Sequence, residues 1–210
     1  MKIKLNSLAG LFLIVLATSM ASNAQDKAGK TPRIRQIEYK GDMAHLLASL
    51  AENGETVIGL ETDPRKPWSQ ISIRLERAVL SDILDGVVQS EPLYQWRENK
   101  GAIEITPVNK SITLIDTTVD RFEVTDVTGE EAINRVFSLP EVQANLRSFR
   151  LSRRHSEAPR RAISEKKFSL NLAGVNMREI LNRIAAGSGM NFWVFRVFSD
   201  GSFWLGTSTR

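Results

Sequence analysis

The sequence predicts an α+β protein of two related modules, each with the element order βαβ-βαββ and each forming a small mixed sheet packed on short helices. Ile71, Ile73 and Leu75 alternate with polar residues, which is the period of a half-buried strand. Leu80 and Ile83 begin an apolar pattern at helical spacing directly afterwards. The whole pattern returns 97 residues later in the chain, and this repeat is what predicts two modules.

The repeat is clearest where residues 71–75 (ISIRL) are set over residues 168–172 (FSLNL). The register holds without a gap for about 26 residues. The turn at 99–101 then matches 199–201 at an offset of 100, so we expect a longer hairpin connection in the second copy. Aligned pairs in the helix and the following strand are Leu80 with Met177, Ile83 with Ile180, Leu84 with Leu181, Val87 with Ile184, and Trp96 with Trp193.

Capping and turn residues predict where the elements begin and end. Asn176 is a predicted helix N-cap with Glu179 three residues on, and Thr128 with Glu131 forms a T-x-x-E capping box. Asp42 is predicted to cap a helix that carries Leu46, Leu47 and Leu50 on its apolar face. Predicted strands are 34–39, 56–60, 71–75, 93–97 and 102–106 in the first half, and 121–125, 168–172, 191–198 and 202–206 in the second.

These boundaries predict a first module at 33–108, a linker strand at 109–118 and a second module at 119–207. The two repeats, ISIRLERAVLSDILDGVVQSEPLYQWRENKGAIEITP and FSLNLAGVNMREILNRIAAGSGMNFWVFRVFSDGSFWLGT, together resemble the short N-terminal domain shared by secretins and TonB-dependent transducer receptors. The resemblance implies a periplasmic module that makes protein–protein contacts and is not a catalyst. In that family the module precedes a channel or receptor. Because this chain ends at Arg210 without membrane strands, we expect an accessory, adaptor or sensor role.

The N-terminus has the three parts of a secretory signal peptide. Lys2 and Lys4 precede an apolar run at 8–17, which is shorter than the roughly 20 residues of a membrane-spanning helix. Ser22-Asn23-Ala24 then offers a small-x-small cleavage site, so we expect cleavage between Ala24 and Gln25 and a periplasmic or secreted mature protein. The alternative is an uncleaved N-terminal anchor. Residues 25–32 are expected to be disordered, and the mature chain is expected to lack a transmembrane segment.

Charge is concentrated in one segment, although the formal net charge of the chain is only +4. Residues 147–167 carry eight basic and two acidic side chains and are predicted to be an insert in the second module. One interpretation is a flexible, solvated loop. The other is electrostatic contact with an acidic partner protein, anionic lipid or cell-wall polymer, and not with nucleic acid. The candidate contact residues are Arg150, Arg153, Arg154, Arg160 and Arg161.

The sequence predicts no catalytic, cofactor-binding or metal site. The two histidines, His45 and His155, are far apart and lie in no metal-binding motif. Glu130 and Glu131 are explained by a helix N-terminus, where negative charge is favoured. The chain also has no cysteine, so disulfides and thiol chemistry are excluded.

An aromatic hairpin near the C-terminus is the strongest candidate for a binding surface. Aromatic residues on strands usually pack in the core, but adjacent ones point to opposite faces, and an exposed apolar face often marks an interface. We therefore expect a docking protein that uses this hairpin, and the alternative is a protein that binds a small ligand or glycan there. The candidate residues are Phe192, Trp193, Phe195, Phe203 and Trp204.

Overall fold

The computed structural model of the chain describes residues 34–66, 69–109, 113–154 and 165–208. It confirms an α+β fold. The predicted signal peptide, the predicted disordered residues 25–32, His155, Arg160 and Arg161 lie outside the described residues. No helix in the described ranges is both long and apolar enough to cross a membrane.

The first half of the chain, Ile34–Pro107, follows the predicted element order. The predicted cap of its first helix forms: the Asp42 carboxylate accepts a hydrogen bond of 2.9 Å from the Ala44 N–H. Its elements are β1 (Ile34–Asp42), α1 (Met43–Gly54), β2 (Val57–Glu61), β3 (Gln70–Ala78), α2 (Leu80–Ser90), β4 (Tyr94–Asn99) and β5 (Ala102–Pro107).

The second half, Thr118–Ser208, has the same order with one extra helix. Both predicted caps are confirmed, because Thr128 and Glu131 form a reciprocal capping box and the Asn176 side chain accepts from the Glu179 N–H at 2.9 Å. Its elements are β6 (Thr118–Val127), α3 (Gly129–Phe137), α4 (Pro140–Ser148), β7 (Ser152–Arg153), β8 (Phe168–Asn176), α5 (Met177–Ser188), β9 (Phe192–Val197) and β10 (Ser202–Ser208).

Two segments differ from the sequence expectation. The described part of the predicted linker strand contains a 3-10 helix at Leu114–Asp116 instead of a strand. Leu114 and Ile115 are adjacent and both fully buried, and the Asp116 carboxylate accepts from the Thr113 N–H at 3.0 Å, which closes the turn. The sequence pattern also did not locate α4 or β7, although Pro140 at the first helical turn is a recognised start signal.

Three strands from each half join into one six-stranded sheet of order β4-β5-β2-β9-β10-β7, where the sequence predicted separate small sheets. Within each half a hairpin pairs antiparallel and a third strand joins parallel: β4-β5-β2 in the first half and β9-β10-β7 in the second. The parallel pairing of β2 with β9 connects the halves. Two antiparallel ribbons, β1-β3 and β6-β8, complete the fold.

The six-stranded sheet separates two hydrophobic cores. One core contains apolar residues of α1, α2, β1 and β3, and includes Ile58, Leu60 and Phe192 from the sheet. The other contains apolar residues of α3, α4, α5 and β6, and includes Trp193 and Phe195. The helices of the first half therefore cover one face of the shared sheet, and those of the second half cover the other.

Backbone geometry also recurs between the halves. Glu55 and Arg150 each adopt a left-handed conformation two residues before β2 and β7 respectively. Arg77 in β3 and Gly174 in β8, which are 97 residues apart, both have positive φ, at 53° and 63°. Positive φ is costly for residues other than glycine, so its return at matching positions reflects a shared strand path and not a residue preference.

Candidate functional site

The aromatic hairpin does not form the predicted exposed surface. Phe192, Trp193, Phe195 and Phe203 are at most 4% exposed, and Trp204 is half-buried. The expectation that these residues face a partner is wrong for the four buried rings. The same burial removes the structural basis for a ligand or glycan platform on them.

The physical reason is that both faces of β9 are covered. Helix α1 contacts β2 and β9 on the side of Phe192, and α5 contacts the same strands on the side of Trp193. Full burial of a large apolar side chain stabilises a fold by about 1.5–3 kcal/mol, so these rings are core residues. Sequence periodicity cannot distinguish a strand with one open face from a strand covered on both faces.

Two of the predicted contact arginines are engaged within the molecule. The Arg153 guanidinium lies 4.4 Å from the centre of the Phe137 ring and donates to the Asn134 side chain at 3.1 Å. The Arg154 guanidinium lies 4.3 Å from the Phe198 ring centre and forms an ion pair with Asp200. Arg153 therefore holds β7 against α3, and Arg154 holds it against the turn between β9 and β10.

Arg150 is exposed, together with the neighbouring Phe149, which is 40% exposed. Arg160 and Arg161 are outside the described residues. The structure thus leaves Arg150 as the described member of the predicted basic contact set that is not stacked on an aromatic ring.

A buried ion-pair cluster connects the two halves. Arg178, the second residue of α5, donates to the Glu61 carboxylate of β2 at 2.5 Å and to the Asp116 carboxylate at 3.2 Å. The Thr113 hydroxyl also donates to Glu61, at 2.7 Å. Burial lowers the pKa of Arg178, but attraction to Glu61, Asp116 and Glu104 outweighs this and holds the pKa above its ordinary value. Arg178 therefore remains charged, as a paired interior cation.

A second polar cluster lies beside it on the same face of the sheet. Glu104 of β5 is fully buried and accepts from the Asn182 side chain at 3.1 Å and from Arg97 at 2.7 Å. Asn182 in turn accepts a hydrogen bond of 2.8 Å from the Trp193 indole N–H. Buried polar groups need such partners to offset lost hydration, and these bonds supply them.

A pocket beside these clusters is too small for an ordinary ligand. Its volume is ≈ 40 Å³, with Val57, Lys100, Glu179, Asn182 and Arg183 among the lining residues. A water molecule occupies about 30 Å³ of liquid, whereas small-molecule sites span about 300–1,000 Å³.

Among the described residues, no group of three or more histidine and carboxylate side chains is placed to hold a metal ion. His45 is 77% exposed on α1.

The outer side of β4 is the candidate docking edge. Strand β4 ends the sheet order in the described residues and pairs there with β5 alone. The Val108 N–H donates to the Leu93 carbonyl at 2.9 Å and the Tyr94 N–H donates to Glu91, so the next pair along, Tyr94 with Pro107, is a non-hydrogen-bonded pair. By alternation, the backbone groups of Trp96 and Glu98 point away from β5. The sequence did not predict this edge, although the match of Trp96 with Trp193 indicates that β4 and β9 are equivalent strands.

No family model matches the chain, and neither a curated protein nor a solved structure matches it.

Proposed function

We propose that the protein is an exported, non-catalytic docking protein of the bacterial periplasm, made of two tandem units related to the short N-terminal domain of secretins and TonB-dependent receptors. The recurrence of element order, sheet order and positive-φ positions in the two halves supports the tandem. The signal-peptide pattern at residues 1–24 supports export.

The observation that carries the docking role is the edge formed by β4. A strand at the end of a sheet presents backbone donors and acceptors that can pair with a strand of another protein. On the equivalent strand of the second half, β9, this side is already occupied by β2. The protein therefore contains one edge that has received a strand and a matching edge that has not, within the described residues.

The interior charged groups support a non-catalytic role. Glu61 and Asp116 neutralise Arg178, and Glu104 is bonded to Arg97 and Asn182. These bonds account for the burial of each group as part of the contact between β2, β5 and α5. Catalytic carboxylates differ in that they face a cavity large enough for substrate.

Affinity capture tests the docking role. The mature chain, tagged at its C-terminus, is expressed in its own host and recovered from the periplasmic fraction with bound proteins, which are quantified against an untagged strain. We expect one or a few stoichiometric envelope proteins. Recovery of no enriched protein at low and at physiological salt would contradict the docking role.

Export has its own test. The mature protein is expected in the periplasmic fraction, with Gln25 as its first residue by N-terminal sequencing. Retention of residues 1–24 in the membrane fraction would instead show an uncleaved anchor.

A further inference from the structure

Two tryptophans at equivalent positions make equivalent hydrogen bonds. The Trp193 indole N–H donates to the Asn182 side chain of α5 at 2.8 Å. The Trp96 indole N–H donates to the Asp85 side chain of α2, also at 2.8 Å. Asn182 follows Asp85 by 97 residues, as Trp193 follows Trp96. Strands β4 and β9 therefore carry a tryptophan at equivalent positions, and each indole is fixed by the same hydrogen bond to the preceding helix.

The two rings differ in what covers them. Trp193 is 1% exposed because β2 lies alongside β9 and Gly59 sits against the indole. A Cβ on Gly59 would be only 2.2 Å from Cζ2 of Trp193, so a side chain is excluded there. Trp96 is partly exposed, and no described strand pairs with the outer side of β4, opposite β5.

The pairing of β2 with β9, called the joint below, also shows which backbone groups an incoming strand uses. The N–H groups of Ile58 and Thr62 donate to the carbonyls of Asn191 and Phe195, each at 2.9 Å. At an offset of 97, Asn191 and Phe195 correspond to Tyr94 and Glu98. Like Trp96 between them, Tyr94 and Glu98 have backbone groups that face away from β5.

We propose that the β4 edge receives an extended segment of a partner protein, parallel to β4, with a glycine against Trp96 as Gly59 lies against Trp193. This rests on the proposed docking function and names the chemistry of the partner. The residue opposite Glu98 would be basic and the residue opposite Arg97 acidic, because Glu98 is exposed and Arg97, although it is bonded to Glu104, is 65% exposed, and opposite charges on paired positions attract.

Strand β7 of a second copy of this chain does not fit that description. Strand β7 occupies the place in the second half that β2 occupies in the first, since both pair parallel to the last strand of their hairpin. Matching Val57 with Ser152, through their partners Ala102 and Ser202, places Arg154 where β2 has Gly59. An arginine there cannot reproduce the close approach of the glycine backbone to the ring.

The test uses the folded mature protein and the synthetic peptide TVIGEKT. This peptide retains residues 56–59 of β2 and places glutamate and lysine opposite Arg97 and Glu98. Amide and indole NMR signals are followed during titration. We expect saturable shifts at Trp96 and Glu98 and slower hydrogen exchange of the Glu98 N–H. The matched peptide TVIIEKT, with isoleucine for glycine, is expected to bind at least about tenfold more weakly because its side chain meets the indole.

A protein variant tests the backbone contact separately. Proline at position 98 removes the outward N–H and is tolerated at sheet edges, so Glu98→Pro should fold, which circular dichroism checks. We expect Glu98→Pro to weaken TVIGEKT binding about tenfold more than Glu98→Ala, which loses only the side-chain charge.

Three results would overturn the proposal: equal binding of the two peptides, equal binding by the two Glu98 variants, or shifts that map away from β4. Concentration-dependent dimerisation that Glu98→Pro abolishes would assign the edge to a second copy instead. The comparison also separates this proposal from the docking role. If wild-type protein and Glu98→Pro capture the same envelope protein equally, the docking role stands and the assignment of the edge is wrong.

Discussion

Trp96 in the first half and Trp193 in the second make the same 2.8 Å hydrogen bond to the preceding helix, yet one ring is partly exposed and the other is buried. The bond is local, between a helix and the strand that follows it. The burial is not local, because it depends on β2 of the other half reaching β9. The comparison shows that the repeat sets side-chain geometry, while the joining of the halves sets exposure.

The largest effect on stability should come from substitution of Arg178, which has no counterpart in the first half. The first half has exposed Ser81 at the equivalent position, so the buried ion pair belongs to the joint alone. Arg178→Met removes the buried guanidinium that bonds Glu61 and Asp116, and should lower the free energy of unfolding by about 3–5 kcal/mol. Urea unfolding measures this. Arg183→Met, on the exposed side of the same helix, should change it by less than about 0.5 kcal/mol. Similar losses in both variants would refute the role of the ion pair.

Filling the space beside Trp193 should be the next most damaging change. Gly59→Val places methyl groups where the indole lies and should cost about 3 kcal/mol by displacing the ring or separating β2 from β9. Thermal unfolding followed by tryptophan fluorescence reports both. The control is Gly54→Ala at the end of α1, where the nearest atom to a new Cβ is 3.8 Å away, and it should stay within about 1 kcal/mol of the parent. A stable Gly59→Val with unchanged fluorescence would contradict the tight joint.

The acceptors of the two indoles give a smaller and more direct comparison. Asn182 is buried, so Asn182→Ala should cost about 1–3 kcal/mol because it leaves the Trp193 N–H and Glu104 short of a partner. Asp85 is exposed, and in Asp85→Ala water can replace the lost acceptor of Trp96, so the cost should be below about 1 kcal/mol. Chemical denaturation of Asn182→Ala and Asp85→Ala measures the loss of unfolding free energy in each variant. Equal costs would mean that the two tryptophans are equally buried in solution.

The positive-φ pair in the ribbons predicts effects of opposite sign. Arg77→Gly relieves left-handed strain and should stabilise the protein by up to about 1 kcal/mol, whereas Gly174→Ala should destabilise it by about 1 kcal/mol. Differential scanning calorimetry resolves both as shifts of Tm in opposite directions. Shifts of the same sign would show that β3 and β8 do not share a backbone path.

The smallest expected effect lies in the turn of the second hairpin. The Ser202 hydroxyl and N–H, together with Arg154, lower the pKa of Asp200 from 3.8 to about 2. This interaction contributes to stability above pH 3.8 and is lost as the pH falls towards 2. Carbon-13 NMR titration should show the pKa of Asp200 rising more in Ser202→Ala than in Arg154→Gln. An unchanged pKa in Ser202→Ala would exclude the Ser202 hydroxyl as the main cause.

Local elements were predictable because their signals lie within a few residues. The caps at Asp42, Thr128 and Asn176 form as expected, since each satisfies helix N–H groups in its own first turn. Strand β7 was not predicted, because two residues in a basic segment carry no alternation. Its position depends on pairing with β10 and on the stacking of Arg153 on Phe137.

The candidate site was harder to predict than the fold. The sequence favoured the aromatic hairpin, since Phe192 and Trp193 alternate towards opposite faces, and one face was expected to be open. The structure covers both faces and leaves the polar strand β4 at the edge. Aromatic content therefore marked the buried joint, and the equivalent strand with fewer aromatic residues carries the candidate edge.

By itself the sequence determined the α+β class, the repeat, most elements and the signal-peptide pattern, because periodicity, caps and turns act over short distances along the chain. Only the tertiary structure decided that the halves share one sheet, that Trp193 is buried and that Trp96 lies at an edge. Those outcomes depend on β2 meeting β9, a pairing of residues more than a hundred positions apart that is permitted by the absence of a side chain at Gly59.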